Sequence, residues 1–175
     1  MTSRITIRTI VRGFTLVELM IALTILSVMM AFAVPAFNDF TNQRRMISNV
    51  NTLVSAINLA RSEAGRRGGE MTVQTQDAAD ANDEWGPGFC VTPDDPGDCA
   101  TAVRVFNLEG NNMTLNATDD FDGVDSISYT SQGLKEDDFI GTVRLCGADA
   151  DDDPGRVIAI NAIGRTTVRN LVCYP

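Results

Sequence analysis

The chain has no histidine. Without one, neither a Ser–His nor a Cys–His nucleophile can be assembled. It also lacks a P-loop and a GxGxxG turn, so no phosphate cradle is in place. Lysine occurs once, at Lys135, and aromatic residues make up 6%. There are four cysteines, Cys90, Cys99, Cys146 and Cys173, with no CxxC pair, so zinc lacks its usual ligand spacing. Carboxylate pairs such as Asp119/Asp120 and Asp137/Asp138 lie in polar turns, with no apolar setting to tune their acidity. No internal repeat and no second globular domain is visible. The sequence therefore argues against an enzyme.

What is present begins at the N-terminus. Arg4, Arg8 and Arg12 precede an apolar run, and no acid occurs before Glu18. Residues Phe14 to Phe37 then carry one charge, Glu18. As a helix this run is about 36 Å long, enough to cross a hydrocarbon core of about 30 Å. Arginines on the N-terminal side keep the N-terminus cytoplasmic. Glu18 is costly inside a membrane unless a cation pairs with it. Its own helix offers no base within the next turn. Cleavage after Gly13 would create an α-amino group on Phe14, four residues from Glu18 and on the same helical face. A secretory signal peptide, cut after Ala31-Phe32-Ala33, would leave Val34 first. It fits poorly, because the run is too long, contains Glu18 and continues into helix. A plain single-span anchor leaves Gly13-Phe14 and Glu18 unexplained.

Gly13-Phe14-Thr15-Leu16-Val17-Glu18 resembles the processing site of type IV prepilins and type II secretion pseudopilins. The resemblance implies cleavage after Gly13 by a prepilin peptidase and N-methylation of Phe14. It also implies that Glu18 pairs with the N-terminus of an adjacent subunit, and that Pro35 kinks the helix. Asn58 to Ala64 resembles the Ala-Arg-Ser-Glu-Ala signature of the FimT/GspH branch, and Trp85-Gly86-Pro87-Gly88-Phe89 resembles the same group. Residues two apart on a helix do not face each other, so Arg61 and Glu63 are expected to have partners elsewhere rather than each other.

Four segments follow. Residues 1–13 form a leader, 14–37 the transmembrane and filament-core half of a helix, 38–67 its amphipathic half, and 68–175 a globular β domain. The amphipathic stripe is Phe40, Ile47, Val50, Leu53, Val54, Ile57, Ala60 and Ala64, and Gly65, Gly68 and Gly69 supply the stop. Short strands are expected at 71–75, 88–92, 101–107, 113–116, 126–130, 142–146, 157–161 and 165–172, separated by turn-rich stretches. The fold class is α+β: a long, kinked N-terminal helix packed on an antiparallel sheet or small β-sandwich, the type IV pilin fold.

Net charge is −9 overall; from residue 68 onward 20 acids face six bases. Such a domain is soluble and repels nucleic acid and anionic lipid on average. Beyond a membrane, in an oxidising compartment, the cysteines read as two disulfides. Three connectivities exist; pairing sequence neighbours, Cys90 with Cys99 and Cys146 with Cys173, is preferred.

No cofactor is expected, and calcium is the one ion left open. Asp149, Asp151 and Asp153 alternate as an EF-hand loop begins, but Pro154 displaces its glycine and Ile160 holds the twelfth position. DNA-binding pilins of the FimT type show a Gly-Arg-x-Arg motif; here Gly164 and Arg165 match and Thr167 replaces the second arginine. Arg165 and Arg169 share a strand face, and Arg156 is a third candidate for a phosphate contact. The reading is a minor pilin or pseudopilin of a type IV pilus or type II secretion pseudopilus. It sits in the bacterial inner membrane with a periplasmic domain, then in the filament. Its partners are other pilins, the prepilin peptidase, the inner membrane and, in the alternative of a DNA-uptake receptor, DNA.

Overall fold

Thr15 begins the first helix. Its Oγ1 accepts from the backbone N of Glu18 at 3.2 Å, the N-cap bond that satisfies one of the otherwise unpaired N–H groups of the first turn. The computed structural model describes residues 13–76, 85–93, 99–108, 113–119, 125–136, 140–147 and 154–173. Helix α1 runs Leu16–Arg67 and contains Pro35. Proline has no N–H to give to the carbonyl of Ala31, so the ladder loses one bond there. The helix stops where Gly68 takes φ +69° and donates its N–H to Ala64 O at 2.9 Å, a left-handed cap that glycine adopts without strain.

The chain divides into two compact units, residues 1–41 and 42–175. In the second, the α1 residues Met46, Val50, Leu53, Ile57, Ala60 and Ala64 are buried. Their spacings of four and three trace one helical face. This stripe differs from the sequence expectation at its start. Counting back a full turn from Val50 reaches Met46, which is buried, whereas Ile47 is only half-buried. Phe40, in the first unit, is 52% exposed.

Eight strands follow: β1 Met71–Thr75, β2 Phe89–Pro93, β3 Arg104–Phe106, β4 Met113–Asp119, β5 Ser126–Tyr129, β6 Gly141–Gly147, β7 Pro154–Ile160 and β8 Thr166–Val172. A short 3-10 turn, Cys99–Thr101, takes the start of the expected third strand. The strands form two antiparallel four-stranded sheets, ordered β3-β2-β1-β5 and β4-β6-β7-β8. Leu115, Val143, Leu145, Ile158 and Ile160 from the second sheet join Met71, Val73, Phe89, Val91, Ile127 and Tyr129 from the first in one cluster with the helix stripe. Each fully buried Leu or Ile contributes about 1.5–3 kcal/mol. Ala56, Ala60 and Ala64 are fully buried, and small residues at that spacing let the helix backbone come close to its neighbours. Trp85 is also fully buried; its N–H donates to Leu115 O at 3.1 Å in the second sheet, and its ring packs on Phe89 of the first.

Candidate functional site

The N-terminal unit presents an uncovered apolar rod. Every large apolar side chain from Phe14 to Phe37 is about half exposed or more, from 49% at Leu26 to 82% at Phe14. Two hydroxyls along it are satisfied internally: Thr24 Oγ1 donates to Ile21 O and Ser27 Oγ to Thr24 O, both at 2.8 Å. Lipid tolerates a helix on that condition, because each unpaired polar group would cost several kcal/mol. The helix is long and apolar enough to cross a membrane. Glu18 lies in its first turn, where a carboxylate also favours the positive end of the helix dipole. Gly13 and Phe14 precede the helix and are exposed.

Both disulfides join sequence neighbours. Cys90 of β2 bonds Cys99 of the 3-10 turn, and Cys146 of β6 bonds Cys173 just beyond β8. Gly155 makes room for the second: a Cβ there would strike Cys173 Sγ and come within 2.9 Å of Leu145 O. Among the described residues no cluster of metal-ligating side chains forms. Asp149, Asp151 and Asp153 lie outside the described residues.

The β7–β8 turn is built to present Arg165. Gly164 N donates to Asn161 O at 2.8 Å, and Arg165 N donates to Asn161 Oδ1 at 2.8 Å. Gly164 takes φ +75°, and a Cβ on it would run into the Tyr129 ring. Tyr129 Oη donates to Gly164 O at 3.2 Å. The glycine of the Gly164-Arg165 motif thus has a packing reason of its own.

The structure regroups the arginines. Arg169 pairs with Val157, and Val157 with Arg144. Directly opposed residues share a face, so Arg144 and Arg169 lie on one side of the sheet, two strands or about 10 Å apart. Arg165 and Thr167 fall on that side by strand alternation. Arg144, Arg165 and Arg169 are all exposed. Arg156 is on the opposite side: it pairs with the buried Leu145 and hydrogen-bonds Asn170 through its guanidinium. Arg165 and Arg169 therefore share a face with Arg144 and not with Arg156. Only the cross-strand register could have found Arg144, since nothing in its local sequence marks it.

Glu63 and Arg61 find separate partners. Glu63 is bound by Arg66 at 2.5 Å and Arg67 at 2.9 Å, on the next turn of the same helix. These hydrogen bonds hold its carboxyl down at about 2. The partners lie three and four residues away, the spacing at which helical side chains meet. Arg61 lies against the turn at Gly133, and its charge acts on Tyr129.

A helix apolar on all sides in its first half and amphipathic in its second, joined to antiparallel sheets, is the build of a type IV pilin. Residues 49–164 match the family described as Type II transport protein GspH, and residues 8–34 match the Prokaryotic N-terminal methylation motif. The first match covers more than half of the chain, and the chain belongs to the GspH family. Two crystal forms of the type IV minor pilin FimU of Pseudomonas aeruginosa share its fold. In one the TM-score is 0.62 at 23% identity, covering 74% of this chain and 92% of that one. In the other it is 0.57 at 23% identity, covering 70% and 90%. No curated protein matches the sequence.

Proposed function

We propose that this chain is a minor pilin or pseudopilin subunit whose activity is assembly. A prepilin peptidase cuts after Gly13, and Phe14 becomes the methylated N-terminus. The helix is held in the inner membrane with its N-terminus cytoplasmic and its disulfide-bonded domain periplasmic. It is then drawn into a bundle of like helices. The apolar run supplies the filament core, and Glu18, paired with a neighbour's terminal amine, supplies register. The observation that carries this reading is the apolar surface from Phe14 to Phe37, exposed on all sides and broken by one acid. Only lipid or other apolar helices could cover such a surface.

The test is intact mass of the native membrane form together with two variants. The mature chain should begin at methylated Phe14, and Gly13→Val should keep its leader. Glu18→Val should insert into the membrane but fall markedly in sheared filaments. A chain beginning at Val34 would replace this reading with a secretory one. Equal recovery of Glu18→Val and wild type in filaments would remove the role in register. Subunits that copurify would separate a type IV pilus from a type II secretion pseudopilus.

A further inference from the structure

Strand β8 is the outer strand of its sheet and pairs with β7 alone. The phase of that pairing fixes which backbone groups are spare. Asn161 N donates to Arg165 O at 3.2 Å, which makes Asn161 and Arg165 a hydrogen-bonded pair. Antiparallel ladders alternate bonded and non-bonded pairs. Residues 167, 169 and 171 therefore turn their N–H and C=O toward β7. Thr166, Val168, Asn170 and Val172 turn theirs to the open edge. Among the described residues, no backbone hydrogen bond from another element reaches that edge. It runs for seven residues, about 23 Å.

The two faces of β8 differ chemically. On the outer face stand Arg165, Thr167 and Arg169, with Arg144 two strands in. On the inner face Val168 and Val172 are 42% and 47% exposed. Beside them a hollow of about 340 Å³ opens between Gln43 and Met46 of the helix and Gly155, Arg156, Asn170, Leu171 and Val172 of the hairpin, with an apolar side at Met46, Leu171 and Val172. A smaller hollow, about 180 Å³, lies against Ile47, Val50 and Val168, with Asn51 and Arg156 at its side.

We propose that β8 accepts an added strand from another protein, one whose side chains alternate acidic and apolar. The acids would meet Arg165 and Arg169, the apolar side chains would enter the hollows, and the backbone would pair with the open edge. Charge favours this occupant. The region from residue 68 has six bases against 20 acids, and three of the six stand on this one face. Charged side chains commonly guard an edge strand, but arginines repel only a basic strand and attract an acidic one. A guarded edge also has no need of hollows with apolar walls at Met46, Ile47, Val50 and Val172 beside it. Nucleic acid would use the arginines alone and leave the backbone row and the hollows unused.

The experiment takes the full chain in detergent micelles and adds a capped peptide of alternating glutamate and valine. Amide hydrogen exchange should slow at residues 166, 168, 170 and 172. Residues 167, 169 and 171, already bonded to β7, should be unchanged. A peptide of alternating lysine and valine should bind roughly tenfold more weakly, because two or three cross-strand charge pairs reverse sign. Val168→Pro removes one edge-facing N–H without touching the β7 ladder. It should keep the melting temperature and lose the peptide. Arg165→Glu/Arg169→Glu should prefer the lysine peptide. Binding that lacks the alternating pattern, or that survives Val168→Pro, would overturn the proposal. So would a short duplex DNA that binds where the acidic peptide does not, which would make the face a polyanion site. Binding of neither probe would reduce the arginines to guards.

Discussion

Gly164 is fixed from two directions: its φ of +75°, and the Tyr129 ring against its α-carbon. Gly164→Ala should cost about 2–5 kcal/mol, left-handed strain adding to overpacking, measured by denaturant unfolding. Gly69→Ala, where a Cβ meets nothing within 4 Å and the backbone is unstrained, should stay within about 0.5 kcal/mol. Tyr129 itself should mark the alkaline limit. Burial pushes its phenol up to about 12 from the ordinary 10.0, although the Arg61 charge pulls the other way. The unfolded chain gives up that proton first. The stability from the neutral ring is therefore complete below pH 10 and is lost as pH climbs toward 12. Tyr129→Phe gives up the bond to Gly164 O, about 1 kcal/mol at neutral pH. Melting curves of the two proteins should meet as pH rises past 10 and then cross on the way to 12. A constant gap across that range would show that the phenol does not govern the decline. Of this arrangement the sequence shows only a glycine before an arginine. The ring that demands the glycine lies 35 residues away, across the fold.

At the scale of elements, β1 and the helix end were legible because their signals are local. Met71–Thr75 has β-branched residues at three of its five positions and follows two glycines, and Gly68 follows the last helical arginine. The fate of Arg156 was not legible. The strand alternates, but which parity faces the core depends on β6 and β7 meeting as Leu145 with Arg156. A shift of one residue would have exchanged the two faces. The disulfides permit a graded prediction. Cys146–Cys173 spans 27 residues and Cys90–Cys99 spans nine. Replacing the first pair by alanine should cost about 3.5 kcal/mol, and the second about 1 kcal/mol less, if restriction of the unfolded chain dominates. Urea unfolding of each double variant checks the order. A larger loss for the shorter loop would mean that native contacts around Cys90 matter more than chain entropy.

For the molecule as a whole, charge is the term that conditions change most easily. Twenty acids against six bases from residue 68 onward push the folded domain apart at low salt. Raising salt from about 10 to 200 mM should shorten the range of that repulsion from about 30 Å to below 10 Å. The melting temperature should rise by about 2–4 °C for each kcal/mol relieved. Magnesium and calcium at equal ionic strength should act alike; a larger shift with calcium would instead indicate a specific site. The architecture was legible at this scale, since eight short strands after one long helix leave few arrangements. The division into two sheets was not, because it depends on which strands pair. Trp85 sits at that division, bonded by its backbone to one sheet and packed by its tilted ring against Phe89 of the other. It is the only tryptophan in the chain. The protein therefore carries an intrinsic fluorophore at the seam between its layers: one sigmoidal emission change on denaturation means that the sheets part together, and two mean that they part in turn.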